Sequence, residues 1–222
     1  MLTQDQLQLL LDSLPKIILP GLQVTIPLTA VSFAFGLVIA LATALVQVAR
    51  VPLLRQLARM YVWIIRGTPL LVQLFVVFYG LPYIGVVIDP FPTAVIVFAL
   101  STGAYASETI RAAIESVPAG QLEAGYCVGM TWWQTMRRII LPQAMRTAFP
   151  PLSNTLISLV KDTSLASNIT IVEMFTATRR IAARTYEHFI LYVEVALIYL
   201  AFCTVLTQLQ RLCEKRLNRM GG

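Results

Sequence analysis

Residues 22–48 carry no charged side chain at all, and a run of that kind leaves very few folds open. About 20 apolar residues in a helix are enough to cross the hydrocarbon of a bilayer. Residues 189–209 form a second apolar run, with Glu194 its one charged side chain, and residues 64–88 a third, interrupted by Arg66 near its start. Residues 93–114 and 147–160 are less apolar, holding Ser, Thr, Asn, Glu or paired prolines. Backbone in lipid must satisfy its own hydrogen bonds, so these segments are expected to be helices; the short alternating strands of a barrel are absent. The expected fold class is an all-α membrane protein with five transmembrane helices. Composition agrees: 57% of the 222 residues are hydrophobic and 13% charged, where soluble domains have about 25% charged, and the mean hydropathy is +0.74.

Basic residues predict the orientation. With five crossings, Arg50, Arg55, Arg59, Arg111, Arg137, Arg138, Arg146, Arg211, Lys215, Arg216 and Arg219 fall on one side, which the positive-inside rule makes cytoplasmic. Lys16, Lys161, Arg179, Arg180 and Arg184 fall on the other, four of them between the fourth and fifth spans, a position that also fits the lining of a cavity. The N-terminus is expected outside and the C-terminus inside. The net charge of +6 then reports topology; arginines scattered between apolar spans do not make a nucleic-acid surface.

The first residues lack the basic n-region of a removable signal peptide. Leu7, Leu10, Leu11, Leu14, Ile17 and Ile18 repeat at helical spacing, with Asp5, Gln8, Asp12 and Lys16 mostly opposite. Residues 1–19 therefore read as an amphipathic helix in the outer interface, with Pro20-Gly21 turning the chain into the membrane. Cys127, Cys203 and Cys213 show neither a pairing pattern nor metal-ligand spacing, and His188 is the one histidine, expected at the interface. There is no phosphate loop, nucleophile elbow or acid–base constellation. No catalytic residue, metal or cofactor is expected on this chain, and any ATP must be bound by another polypeptide.

Between the third and fourth spans, residues 123–142 run EAGYCVGMTWWQTMRRIILP: Glu123-Ala124, Gly129, nine further residues, Ile139, then Leu141-Pro142. This resembles the cytoplasmic coupling loop of ABC-importer permeases, with Gly125 in place of the pattern's third alanine. Arg66-Gly67-Thr68-Pro69-Leu70 with Gln73, Ala104-Tyr105-Ala106-Ser107-Glu108 with Arg111, and the stretches 152–154 and 157–166 are similar to segments of permeases for polar amino acids, most nearly cystine permeases; glutamine, arginine and histidine permeases share much of it. The resemblance implies a dimer with a second permease copy or a homologous permease, around a central pathway for a small-molecule substrate. An ABC ATPase dimer would bind beneath, holding ATP and Mg, and an extracytoplasmic amino-acid-binding protein would deliver from outside, in a bacterial inner membrane.

In the loop, Glu123 and Ala124 are expected to open a short coupling helix and Gly129 to let the backbone turn where a side chain would obstruct. One of Trp132 and Trp133 suits the headgroup belt and the other a groove on the ATPase. Arg137 and Arg138 suit acidic partners there or anionic lipid, and Pro142 is expected to start the fourth span. On that span Asn154, Ser158, Lys161 and Asp162 share a face at helical spacing, opposite Leu152, Leu156 and Leu159. Polar groups at membrane depth normally face the bundle interior or a wet cavity. Together they offer a zwitterion an amide, a hydroxyl, an ammonium and a carboxylate. Local ion pairs, caps and contacts across the dimer are the alternative uses. Glu108 either lines the pathway or pairs with Arg111; Gln73 is a further pathway candidate. Arg66 is expected to snorkel or bind a carbonyl, with residues 67–69 breaking or kinking the second span. Residues 20–212 form one transmembrane domain, with the coupling loop at 115–142 and a basic tail at 213–222. A passive channel or carrier leaves the coupling loop idle, as does an enzyme or signalling subunit built on Glu108, Asp162 and His188.

Overall fold

The computed structural model describes residues 3–49 and 51–219, with side chains to residue 216. Arg50 and the side chain of Arg219, both counted above for topology, lie outside the described residues. Those residues form helices and connecting turns, without a strand among them. The α-helices are α1 (Gln4–Pro20), α2 (Ile26–Val48), α3 (Pro52–Gly67), α4 (Leu70–Phe75), α5 (Pro90–Glu115), α6 (Ala119–Cys127), α7 (Trp132–Thr135), α8 (Leu141–Asp162), α9 (Met174–Thr185) and α10 (His188–Arg219).

Proline explains most interruptions. Widened π-type turns occupy Gly21–Thr25, Val76–Gly80 and Met136–Ile140. Each ends two residues before a proline, namely Pro27, Pro82 and Pro142. A proline ring collides with the carbonyl four residues back, here that of Gln23, Phe78 or Arg138, and offers no N–H to it. The wider turn moves that carbonyl aside while the chain stays helical. Thus the Ile26 N–H donates to the Gly21 carbonyl, and the Leu141 N–H to that of Met136.

The expected turn at Pro20-Gly21 does not occur. Pro20 and Gly21 have helical dihedrals, and α1 continues through the widened turn into α2 as one 45-residue helix. Gly21 serves close packing, since a Cβ there would lie 2.7 Å from Met174 Sδ. The second span breaks where expected: α3 ends at Gly67, Thr68 is extended, and Pro69 precedes α4. Three helices, Gln4–Val48, Pro90–Glu115 and His188–Arg216, are long and apolar enough to cross a membrane, and the bent pair Pro52–Gly67 and Leu70–Ile84 makes a fourth. The polar, diproline-bearing α8 is helical and long enough, with 22 residues, but falls outside that set by composition.

The chain divides into two compact units, each assembled from three segments. One comprises Met1–Ala34, Pro69–Phe98 and Leu156–Leu209. Its core is built on Leu28, Leu74, Phe98, Leu159 and Ile169, with a second cluster of Ile17, Met174, Val195 and Ile198 where α1 packs on α9. There the Ser13 hydroxyl donates to Glu194 Oε2 at 2.7 Å. The other unit comprises Phe35–Thr68, Ala99–Thr155 and Gln210–Gly222. Its core is rich in alanine (Ala40, Ala44, Ala106, Ala144, Ala148), which lets helices approach closely, and is completed by Ile110, Met136 and Ile140.

Candidate functional site: the α6–α7 segment and the exposed face of α8

The segment between α5 and α8 is a helix–turn–helix within one unit. Pro118 precedes α6, which begins at Ala119, so Glu123 and Ala124 sit in mid-helix and do not open it. Both are exposed, while Gly125 beside them is buried. A Cβ at Gly125 would fall 2.5 Å from Thr135 Cγ2 and Oγ1, so the missing third alanine of the expected pattern has a steric cause. Thr135 has no room to yield: it is fully buried, and its hydroxyl donates to the Thr131 carbonyl at 3.1 Å. Gly129 acts otherwise than expected. Open space surrounds its Cβ position, and its φ of +78° is what an L side chain resists. In that conformation the Gly129 N–H reaches the Tyr126 carbonyl and the Met130 N–H that of Gly125, each at 3.0 Å.

Thr131 then restarts the helix. Its side chain accepts from the Gln134 N–H at 3.3 Å while its own N–H donates to Gln134 Oε1 at 2.8 Å, a reciprocal capping box. From α7 the helix runs through the widened turn into α8, so Pro142 lies inside a continuing helix and does not start one. Trp132 packs on the alanine-rich cluster, whereas Trp133 is 53% exposed, and Arg137 and Arg138 are exposed with it. Trp132 is thus half-buried against the core of its own unit, which is neither of the two settings expected for the indoles, and only Trp133 is left on the surface. Sequence reasoning misses the Thr131–Gln134 cap and the Gly125–Thr135 contact; the spacing Thr-x-x-Gln is the available signal for the first.

On α8, Leu152 and Leu159 are buried while Asn154, Ser158 and Lys161 are exposed and Asp162 is half-buried. Lys161 lines a cavity of about 570 Å³ with Ser164, Phe175, Tyr192, Tyr199 and Cys203. Among the described residues it has no ion pair with Asp162. Gln73 lies half-buried on α4, in the same unit as Ser158, Lys161 and Asp162; Asn154 and Glu108 belong to the other unit. Glu108 pairs with Arg111 at 2.8 Å and accepts from Gln47 Nε2 at 3.1 Å. Arg66 stacks on the Tyr105 ring, 5.3 Å from its centroid. Glu173, missed at the sequence level, is fully buried at the start of α9. It accepts from the N–H groups of Phe175 (2.8 Å) and Thr176 (2.6 Å) and from the Tyr199 hydroxyl (2.8 Å). Burial pushes its carboxyl above the ordinary range, partly opposed by those donors.

The profile of the "binding-protein-dependent transport system inner membrane component" family matches residues 32–219. The chain belongs to that family. This permease is 54% identical over 200 residues to the L-cystine transport system permease protein TcyB of Bacillus subtilis strain 168, covering 90% of this chain and 86% of that one. It is 40% identical to YckA of the same organism, a probable amino-acid ABC transporter permease protein, over 94% of this chain and 92% of that one. A solved structure of an amino acid ABC transporter with histidines superposes with a TM-score of 0.88 at 34% identity, covering 97% of this permease and all of that chain. The permease thus has the ABC type-1 transmembrane fold.

Proposed function

We propose that this permease forms the translocation pathway of an ATP-driven importer for a polar amino acid, with L-cystine the substrate. The observation that carries this is the 54% identity to an L-cystine transport system permease protein along nearly the whole chain. The α6–α7 segment supports ATPase coupling. It holds Glu123, Ala124, Trp133 and Arg137 on the surface while Gly125, Thr135 and Met136 anchor it from beneath. A partner ATPase dimer supplies ATP and Mg²⁺, a second permease copy or a homologue completes the pathway, and an extracytoplasmic binding protein delivers substrate. The N-terminus lies outside and the C-terminus in the cytoplasm. Closure of the ATPases pulls on α6 and α7, whose fixed capping and packing pass the movement to α5 and α8. Ser158, Lys161 and Asp162, with Gln73, are the pathway groups that meet the zwitterion in their unit. No observation favours a passive channel.

The test is the ATPase rate of the permease reconstituted in lipid with its ATPase and loaded binding protein, titrated with cystine, glutamine, arginine and histidine. Stimulation by cystine, lost in Gly129→Val, is expected. Stimulation by a different amino acid would replace the substrate, and full stimulation of Gly129→Val would remove the coupling assignment.

A further inference from the structure

A cavity of about 300 Å³ in the unit that carries α6 and α7 is lined by Arg55, Arg59 and Arg66 of α3 and by Glu108, Arg111 and Glu115 of α5. Its size is at the small-ligand end of binding pockets. The spacing of four and seven residues puts the three α3 arginines on one helix face. Their situations differ. Arg111 is saturated by Glu108 at 2.8 Å and Glu115 at 2.7 Å, and Arg66 lies over the Tyr105 ring. Among the described residues Arg55 and Arg59 have neither an ion pair nor a side-chain hydrogen bond. The lining therefore sets two unengaged guanidiniums opposite a wall that still carries carboxylate oxygens, and Glu115 is 56% exposed. A bare anion would satisfy the first wall and be repelled by the second. A molecule with a carboxylate at one end and an ammonium beside it satisfies both.

The α5 wall has a second face. Glu108, Arg111 and Glu115 recur at helical spacing toward the cavity. Ile110, Ala113 and Ile114, on the opposite side of the same turns, belong to the cluster that holds Met136 and Ile140 and against which Leu122 and Trp132 pack. One helix thus touches the cavity on one face and the α6–α7 segment on the other.

We propose that this cavity binds the zwitterionic head of a free amino acid, with Arg55 and Arg59 on its carboxylate and Glu115 on its ammonium, and that occupancy acts through α5 on the α6–α7 segment to alter ATP turnover. Its lining shares no residue with the α8 pathway groups. Its regulatory meaning rests on the amino-acid importer reading, since the ligand is the transported class of molecule sensed on the ATPase side.

The experiment uses the permease–ATPase complex in lipid nanodiscs without binding protein and measures equilibrium binding of radiolabelled L-cystine, L-cysteine and L-glutamine alongside the ATPase rate. Saturable binding of at least one is expected, weakened about tenfold or more in Arg55→Gln/Arg59→Gln, as loss of charge-assisted hydrogen bonds requires. Arg55→Lys/Arg59→Lys is expected to recover part of it. Arg211→Gln/Arg216→Gln, which removes the same charge from exposed positions outside the cavity, is expected to bind as wild type, and the amino acid is expected to change the wild-type ATPase rate and leave that of the Arg55/Arg59 double Gln variant unmoved. Co-purification of each variant with the ATPase certifies its fold. Unchanged binding in Arg55→Gln/Arg59→Gln, or equal weakening in Arg211→Gln/Arg216→Gln, would take the ligand away from this cavity and overturn the proposal. Equal displacement by inorganic phosphate, or by nanodiscs of phosphatidylglycerol, would make the cavity an anion or lipid-headgroup site and also overturn it. Absence of binding by a complex whose ATPase still answers to loaded binding protein would sink the proposal and leave the importer reading standing. Binding that follows this pattern without any response to binding protein would do the reverse.

Discussion

At the residue scale, two glycines four positions apart, Gly125 and Gly129, do different work in the α6–α7 turn. Gly125 is set by space: with Thr135 Cγ2 and Oγ1 2.5 Å from its Cβ position, Gly125→Ala drives a methyl into the buried Thr135 side chain. That variant is expected to lower the thermal midpoint of the purified permease and to reduce ATPase co-purification. Adding Thr135→Ala removes both clashing atoms and is expected to recover most of the loss; a double variant as poor as the single one would show that Thr135 is not the obstacle. Gly129 is set by dihedral angle, with φ +78° and nothing within 4 Å. A side chain in the left-handed region costs about 1–2 kcal/mol, and asparagine tolerates it best. Gly129→Asn is therefore expected to keep most of the coupled uptake and Gly129→Val to lose it, as scored by transport in proteoliposomes. Equal uptake by the two would remove the conformational explanation. The sequence pattern exposed the position of Gly129 but assigned it the wrong cause, because spacing cannot distinguish a crowded backbone from a twisted one.

At the scale of elements, α9 hangs on one carboxylate. Glu173 satisfies two N–H groups at the helix start and ties them to Tyr199 on α10. Loss of such a cap costs about 0.5–2 kcal/mol, so Glu173→Ala is expected to raise amide exchange across 174–185 by about tenfold while leaving α2 unchanged. Because the folded carboxyl holds its proton more tightly than the unfolded one, its protonation stabilises α9 fully below the unfolded glutamate value. That contribution is lost as pH rises through the raised folded value. Protection of α9 in wild type relative to Glu173→Gln is thus expected to decline from the acid side upward, after correction for intrinsic exchange; a constant difference would refute the assignment. The helices themselves were legible from apolar runs, as was the break at residues 67–69. Their phase was not. A widened turn slips the helical screw, so a face read from spacing on one side of Pro27, Pro82 or Pro142 does not carry to the other. Ser13 shows a related failure: a polar residue on α1 is buried because a carboxylate waits for it on α10.

At the scale of the whole molecule, the expected topology can be tested by labelling. Single cysteines replacing Glu123 and Arg184, both exposed, are expected to react with an impermeant maleimide from the cytoplasmic and outer sides respectively in a background lacking Cys127, Cys203 and Cys213. Labelling of both from one side would reverse or break the five-crossing topology. The family was legible because its marks are local strings of residues; the arginine cavity was not, since α3 and α5 meet there across more than forty intervening positions and spacing within either helix cannot announce the other. The three-segment construction of each unit also bears on biosynthesis. The first unit awaits Leu209 and the second begins its last segment at Gln210. No nascent chain shorter than that holds all the parts of either unit. A chain stopped before Leu209 is therefore expected to leave polar groups such as Glu173 and Glu194 without the unit that buries them, and to be cleared by membrane proteases in place of folding as a smaller protein.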